Sequence, residues 1–235
     1  AGSVVTFTSG EDSTAVLSGF TITNGLGDAP HGAGIYCTNS SSPRLKNLAV
    51  TDNWAYQGGG IKCEGLSNPI LTNVEITGNT ASESGGGIFL YDSDPTMTNV
   101  TISDNTADGK GGGIYCQYSD IQLTNCLVAD NNGNGIHLDN DSNPIITNCT
   151  ISGNVGNDGG GISVAQSSTP IINNSIVWNN QNQSDGTIGD NIYACIGVEV
   201  TISYSDIQGG LEEIGGTAFD CTPTVNWLEG NINAD

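Results

Sequence analysis

Apolar and polar residues along this chain follow a pattern that repeats about every 26 residues rather than once per helical turn. Six copies of a Gly-x-Gly-Ile phrase place isoleucines at positions 35, 61, 88, 114, 136 and 162. A fixed period in this range marks a solenoid. Within each unit the alternation is that of half-buried strands. A first strand begins at a proline or its substitute, as in Pro43-Arg44-Leu45-Lys46-Asn47 and Pro69-Ile70-Leu71-Thr72-Asn73. Proline suits a strand's first residue, where no ladder donor is lost. A second strand follows at once (48–50, 74–76, 100–102, 126–128, 149–151 and 175–177), and a variable loop then leads to the glycine run and a third strand such as Ile35-Tyr36-Cys37.

Three short strands per unit, always running in one direction, predict an all-β, right-handed parallel β-helix of about eight coils. The whole chain reads as one such domain. Residues 1–30 form a lead-in coil, 31–180 the regular repeats, and 181–235 irregular terminal coils and a tail. Two asparagine series recur in register: Asn47, Asn73, Asn99, Asn125, Asn148 and Asn174, and Asn53, Asn79, Asn105, Asn131, Asn154 and Asn180. Both are expected to be internal ladders whose amides satisfy each other and the turn backbone.

Alternation directs Cys37, Cys63 and Cys116 inward in one column, and Cys126 and Cys149 in another. Stacked thiols are favoured over cross-coil disulfides, because in-register side chains stand about 4.8 Å apart whereas a disulfide draws its Cβ atoms to about 3.5–4.5 Å. Cys195 and Cys221 lie outside the regular repeat and are the expected disulfide, tying down the tail. The outward column beside the glycine turn reads Tyr36, Lys62, Phe89, Tyr115, His137, Ser163, Tyr193. Tyr36, Phe89, Tyr115 and Tyr193 are its candidate ligand-binding residues, an exposed strip on which sugar rings stack.

Charge narrows the partners. Four Lys and Arg residues against 25 Asp and Glu give a net charge of -21. Nucleic acid and anionic membrane both need a basic surface, so neither is expected, and no apolar run is long enough to span a bilayer. Acidic loop residues such as Asp92, Asp94, Asp108, Asp158 and Asp185 offer oxygens suited to Ca²⁺, the one cofactor considered. No catalytic residue is assigned. Arg44, Lys46, Lys62 and Lys110 are scattered, His31 and His137 lie about four coils apart, and no paired carboxylates recur on one face.

The Gly-Gly-Gly-Ile phrases alternate with Ile-x-x-Asn at Ile76 to Asn79, Ile102 to Asn105 and Ile151 to Asn154. Together they resemble the repeats of bacterial polymorphic outer-membrane proteins and of secreted choice-of-anchor β-helix proteins. The resemblance covers nearly the whole chain. It implies a bacterial extracellular or cell-surface location and a fragment or processed unit of a longer protein. The function expected is non-enzymatic and structural, either adhesive or self-assembling end to end into filaments through uncapped sheet edges. The alternative is a carbohydrate-binding or lyase-like module on surface glycans.

Overall fold

The computed structural model describes residues 2–28, 31–183, 191–194, 197–215 and 223–233. It is a right-handed parallel β-solenoid of about eight turns. Sheet A stacks eight parallel strands, from Val5–Phe7 and Ile35–Cys37 through Ile61–Glu64 to Ile192–Ala194. Register is kept throughout: Ile35 pairs Ile61, Ile61 pairs Ile88, and Ile88 pairs Ile114. The shared register buries like on like, and the inward isoleucines, cysteines and leucines of every coil join one core. Backbone donors bond the next coil at Ile35, Ile61 and Ile88 and the preceding coil at Ile70, Thr96 and Thr150, as parallel pairing requires.

The first and second strands of each unit belong to one bent sheet, sheet B, instead of two. Arg44–Thr51, Ile70–Thr77 and Thr96–Ser103 run unbroken through the bend. The bend is made by an asparagine in the left-handed region, Asn47 at φ 51° and Asn73 at φ 53°, a conformation that asparagine tolerates better than most residues.

The variable loop also differs from expectation. Leu26–Gly27, Trp54–Gln57, Thr80–Ser84 and Thr106–Ala107 pair in parallel as sheet C. Its sequence signal is the small residue two places after each ladder asparagine: Ala55, Ala81 and Ala107 stack in register and are buried. Loop sequences between them vary too much to show strand periodicity. Within the tail, read as irregular from residue 212, Thr224–Trp227 adds a strand to Glu199–Ser203.

Glycines in the turn before sheet A are set by close approach. A Cβ on Gly87 would lie 2.6 Å from the Gly113 carbonyl oxygen and 3.0 Å from the Asn105 amide. Gly19 has φ 79° but open space around it. Gly87→Ala is therefore expected to cost about 3 kcal/mol, the scale of overpacking a tight site, and Gly19→Ala about 1 kcal/mol of backbone strain. Urea unfolding of the two variants checks this, and equal losses would remove the packing argument.

Candidate functional site

Three lateral features carry the polar chemistry: the outer face of sheet A, the corners of the coil, and the bend of sheet B. The outer face of sheet A holds the predicted aromatic strip, and the strip is not an open platform. Tyr36 and Phe89 are each 5 % exposed, Lys62 3 % and His137 0 %, while Tyr115 and Tyr193 are half-buried. The glycine turn packs against this column. A Cβ on Gly58 would meet Lys62 Cβ at 2.8 Å, and one on Gly85 would meet Phe89 Cβ at 2.7 Å, so the turn backbone lies directly over the column.

Stacking closes the faces that remain. Phe89 and Tyr115 stack at 5.1 Å, Tyr115 and His137 at 5.4 Å, and Lys62 Nζ sits 5.4 Å from the centre of the Phe89 ring. With both ring faces occupied, Phe89 and Tyr115 have none left for a sugar.

Acidic partners run beside this column. The Tyr36 hydroxyl donates to Glu64, which also pairs with Lys62 at 3.1 Å, and the Tyr115 hydroxyl donates to Asp139 at 3.2 Å. Burial and the Glu64 carboxylate push the Tyr36 hydroxyl up to about 12, and burial with Asp139 pushes Tyr115 up as well. Both are held as neutral donors, so neither serves as a base at neutral pH. Among the described residues, His137 has no hydrogen-bond partner at either ring nitrogen. Its burial, helped by nearby Lys110, lowers its pKa to about 3, so the ring is neutral.

At the corners, the two asparagine series part company. Asn53, Asn79, Asn105, Asn131, Asn154 and Asn180 are buried, and each amide donates to the next, extending past Asn180 to Asn191. Asn47, Asn73, Asn99, Asn125, Asn148 and Asn174 stand outside the bend and are exposed, so this series is an external ladder. Asn73 donates to Asn47 and Asn99 to Asn73, both at 3.2 Å, and Asn174 donates to Asn148. The left-handed backbone at the bend turns these side chains outward. A third ladder went unread in the sequence. The N–H of each of Ser41, Ser67, Ser93, Ser119 and Ser142 bonds the hydroxyl of the next serine in the series, ending at Ser168. Its signal is a serine two residues before each proline or substitute.

Cys37, Cys63, Cys116, Cys126 and Cys149 are buried free thiols. Burial raises Cys116, and the Cys37 contact with burial raises Cys63. Cys126 is held down to about 7 by the neighbouring Cys149 thiol, which is itself raised. The proposed Cys195–Cys221 bridge lies outside the described residues. The bend of sheet B carries a groove of about 370 Å³, lined by Asn99, Val100, Thr101, Asn125, Cys126, Leu127, Asn148 and Thr150.

Among the described residues, no three His, Cys, Asp or Glu side chains gather as a metal site, and no helix is long and apolar enough to cross a membrane. No curated protein and no solved structure matches the chain. A family model does, described as "Periplasmic copper-binding protein (NosD)", and it matches residues 7–210. That description overturns the expectation of calcium or no cofactor, because the metal it names is copper. The match runs from the first strand of sheet A to the last full coil, and on that span the chain belongs to the NosD family.

Proposed function

We propose that the protein is a non-enzymatic β-helix of the bacterial cell envelope or exterior that works as an adhesive or self-assembling rod, attaching through its side. The observation that carries this reading is the outer face of sheet B. In the C-terminal half it exposes Ile145 and Ile171 in one column, and Leu127 and Ile176 with Thr150 between them in another; at the N-terminal end these columns hold Val16 and Arg44, and Glu75. Ile145 and Ile171 are adjacent in register. Exposed apolar side chains on one face of an acidic rod suit an attachment surface. The resemblance to polymorphic outer-membrane proteins supports the same role.

The double variant Ile145→Asp/Ile171→Asp is expected to weaken attachment at least tenfold, about 1.4 kcal/mol. Sedimentation at rising concentration and retention on envelope preparations are the measurements. Wild-type protein that neither self-associates nor is retained, or a double variant that behaves like wild type, overturns the reading.

The carbohydrate alternative loses its aromatic platform and moves to the groove. There the amides of Asn99, Asn125 and Asn148 and the hydroxyls of Thr101 and Thr150 supply paired donors and acceptors.

Copper enters through the family description. A nitrogen-and-oxygen cage of the kind that suits Cu(II) has no donor set among the described residues. Soft sulfur ligands select Cu(I), but Cys37, Cys63, Cys116, Cys126 and Cys149 all sit in the hydrophobic core, so the described residues do not fit the copper of the family description.

A further inference from the structure

One aromatic pair has the open ring faces that the strip on sheet A lacks. Trp54 and Tyr56 lie on the sheet C strand Trp54–Gln57, and each is 43 % exposed, against 5 % for Tyr36 and Phe89. Alternation puts both on the outer face with Ala55 buried between them, at twice the strand rise, about 6.6 Å. Among the described residues no ring stacks on either one. Leu26, exposed and in register with Trp54, widens the surface by one coil.

The pair is held in place before any ligand arrives. Its strand is paired with Leu26–Gly27 on one side and Thr80–Ser84 on the other, which fixes the backbone from both flanks. The Tyr56 hydroxyl donates to Glu83 Oε1 at 3.0 Å, and the Gln57 amide donates to the other oxygen of the same carboxylate. Such preorganisation lowers the entropy cost of binding. The surroundings are acidic. Exposed Asp52 sits at the corner two residues before Trp54, and exposed Asp28 directly follows Gly27. The Lys62 ammonium, which donates to Gln57 at 3.2 Å, is buried and paired with Glu64. Lys110 follows Thr106–Ala107, two coils from Trp54.

We propose that Trp54, Tyr56 and Glu83 form a binding site for a glycan carrying free amines, such as a glucosamine chain, on the outer face of sheet C. The apolar C–H face of a pyranose ring stacks on an open indole or phenol. Its ammonium group is drawn both to the aromatic faces and to the carboxylates around them. A cationic peptide fits less well, because both edges of Trp54–Gln57 are already paired and leave no backbone groups for an added strand. The site is separate from the apolar face of sheet B and from the groove, and it does not rest on the adhesive reading.

Trp54 is exposed, so Trp54→Ala is expected to fold, as checked by circular dichroism and urea unfolding. The full chain is titrated calorimetrically with a glucosamine oligosaccharide and with its N-acetylated counterpart. Wild type is expected to bind the free-amine form about tenfold more tightly than the acetylated one. Trp54→Ala and Glu83→Gln are each expected to weaken that binding by about tenfold, while Trp54→Phe, which keeps a ring, retains most of it. Tyr118→Ala removes an exposed tyrosine from another corner and is expected to change nothing. Ile145→Asp/Ile171→Asp is expected to leave binding intact too, which separates this site from failure of the attachment surface. No binding, equal binding of the two oligosaccharides, binding unchanged in Trp54→Ala, or equally tight binding of an oligolysine peptide overturns the proposal.

Discussion

Replacing Asn105 with alanine is expected to lower the unfolding free energy by about 4–5 kcal/mol, the range reached when a buried network is broken. The Asn105 oxygen accepts from the Asn79 N–H and the Asn79 amide, both at 3.0 Å. Its amide donates to the Ile76 carbonyl at 2.9 Å and to Asn131 at 3.0 Å. Alanine orphans the Asn79 N–H in a site with no solvent exposure, at about 1–3 kcal/mol, and takes one bond each from the Asn79 amide, the Ile76 carbonyl and the Asn131 oxygen, at about 0.5–1.5 kcal/mol apiece. The ladder is continuous, so the damage passes to the neighbouring coils, which in a solenoid are the only ones available to compensate. Asn73→Ala supplies the contrast. That residue is exposed and its two side-chain bonds, both at 3.2 Å, face solvent, so the loss is about 1 kcal/mol, largely from forcing alanine into the left-handed region. Chemical denaturation of both variants decides the matter, and similar losses would mean that the buried ladder is no more important than the exposed one.

Acid is expected to destabilise the fold through His137. The folded ring has its pKa lowered to about 3, first by burial and then by Lys110, against 6.5 for the free side chain. The unfolded chain therefore takes up the proton first. Stability from this residue is complete above pH 6.5, declines as the pH falls, and is gone at about pH 3. The whole difference is about 4–5 kcal/mol at 1.36 kcal/mol per unit. Other groups titrate over the same range, so the measurement is a comparison. His137→Phe keeps a ring in a column that already holds Phe89. It is expected to lose less stability than wild type between pH 6.5 and 3.5. Parallel stability curves for the two proteins would remove His137 as an acid-sensitive element. Tyr115 and Asp139 flank the ring and remain in both proteins, so their contribution cancels.

Much of the architecture was legible because every coil faces the same problem. In-register stacking demands the same residue type at the same place, so Ile35, Ile61, Ile88 and Ile114 expose the period directly. The inner asparagine ladder was legible for the same reason. The burial of Lys62 and Phe89 was not, because alternation tells only which face a side chain leaves. Whether a turn folds back over that face depends on the path of Gly58 and Gly85 through space. The direction of the external asparagines was also hidden. Asn47 and Asn53 look alike in sequence, and only the backbone conformation at the bend sends one outward and the other into the core.

The candidate site divides along the same line. Cys126 and Cys149 were assignable to one inward column from spacing alone. That the strand splits at this column was not legible, because there sulfur and hydroxyl groups take over the backbone bonds of the bend. By itself the sequence determined the coil, its period, its direction and its inward columns, because these are local patterns repeated under a stacking constraint. Only the tertiary structure decided which outward side chains meet solvent, because that depends on where neighbouring turns pass, and turn residues carry no period-2 signal.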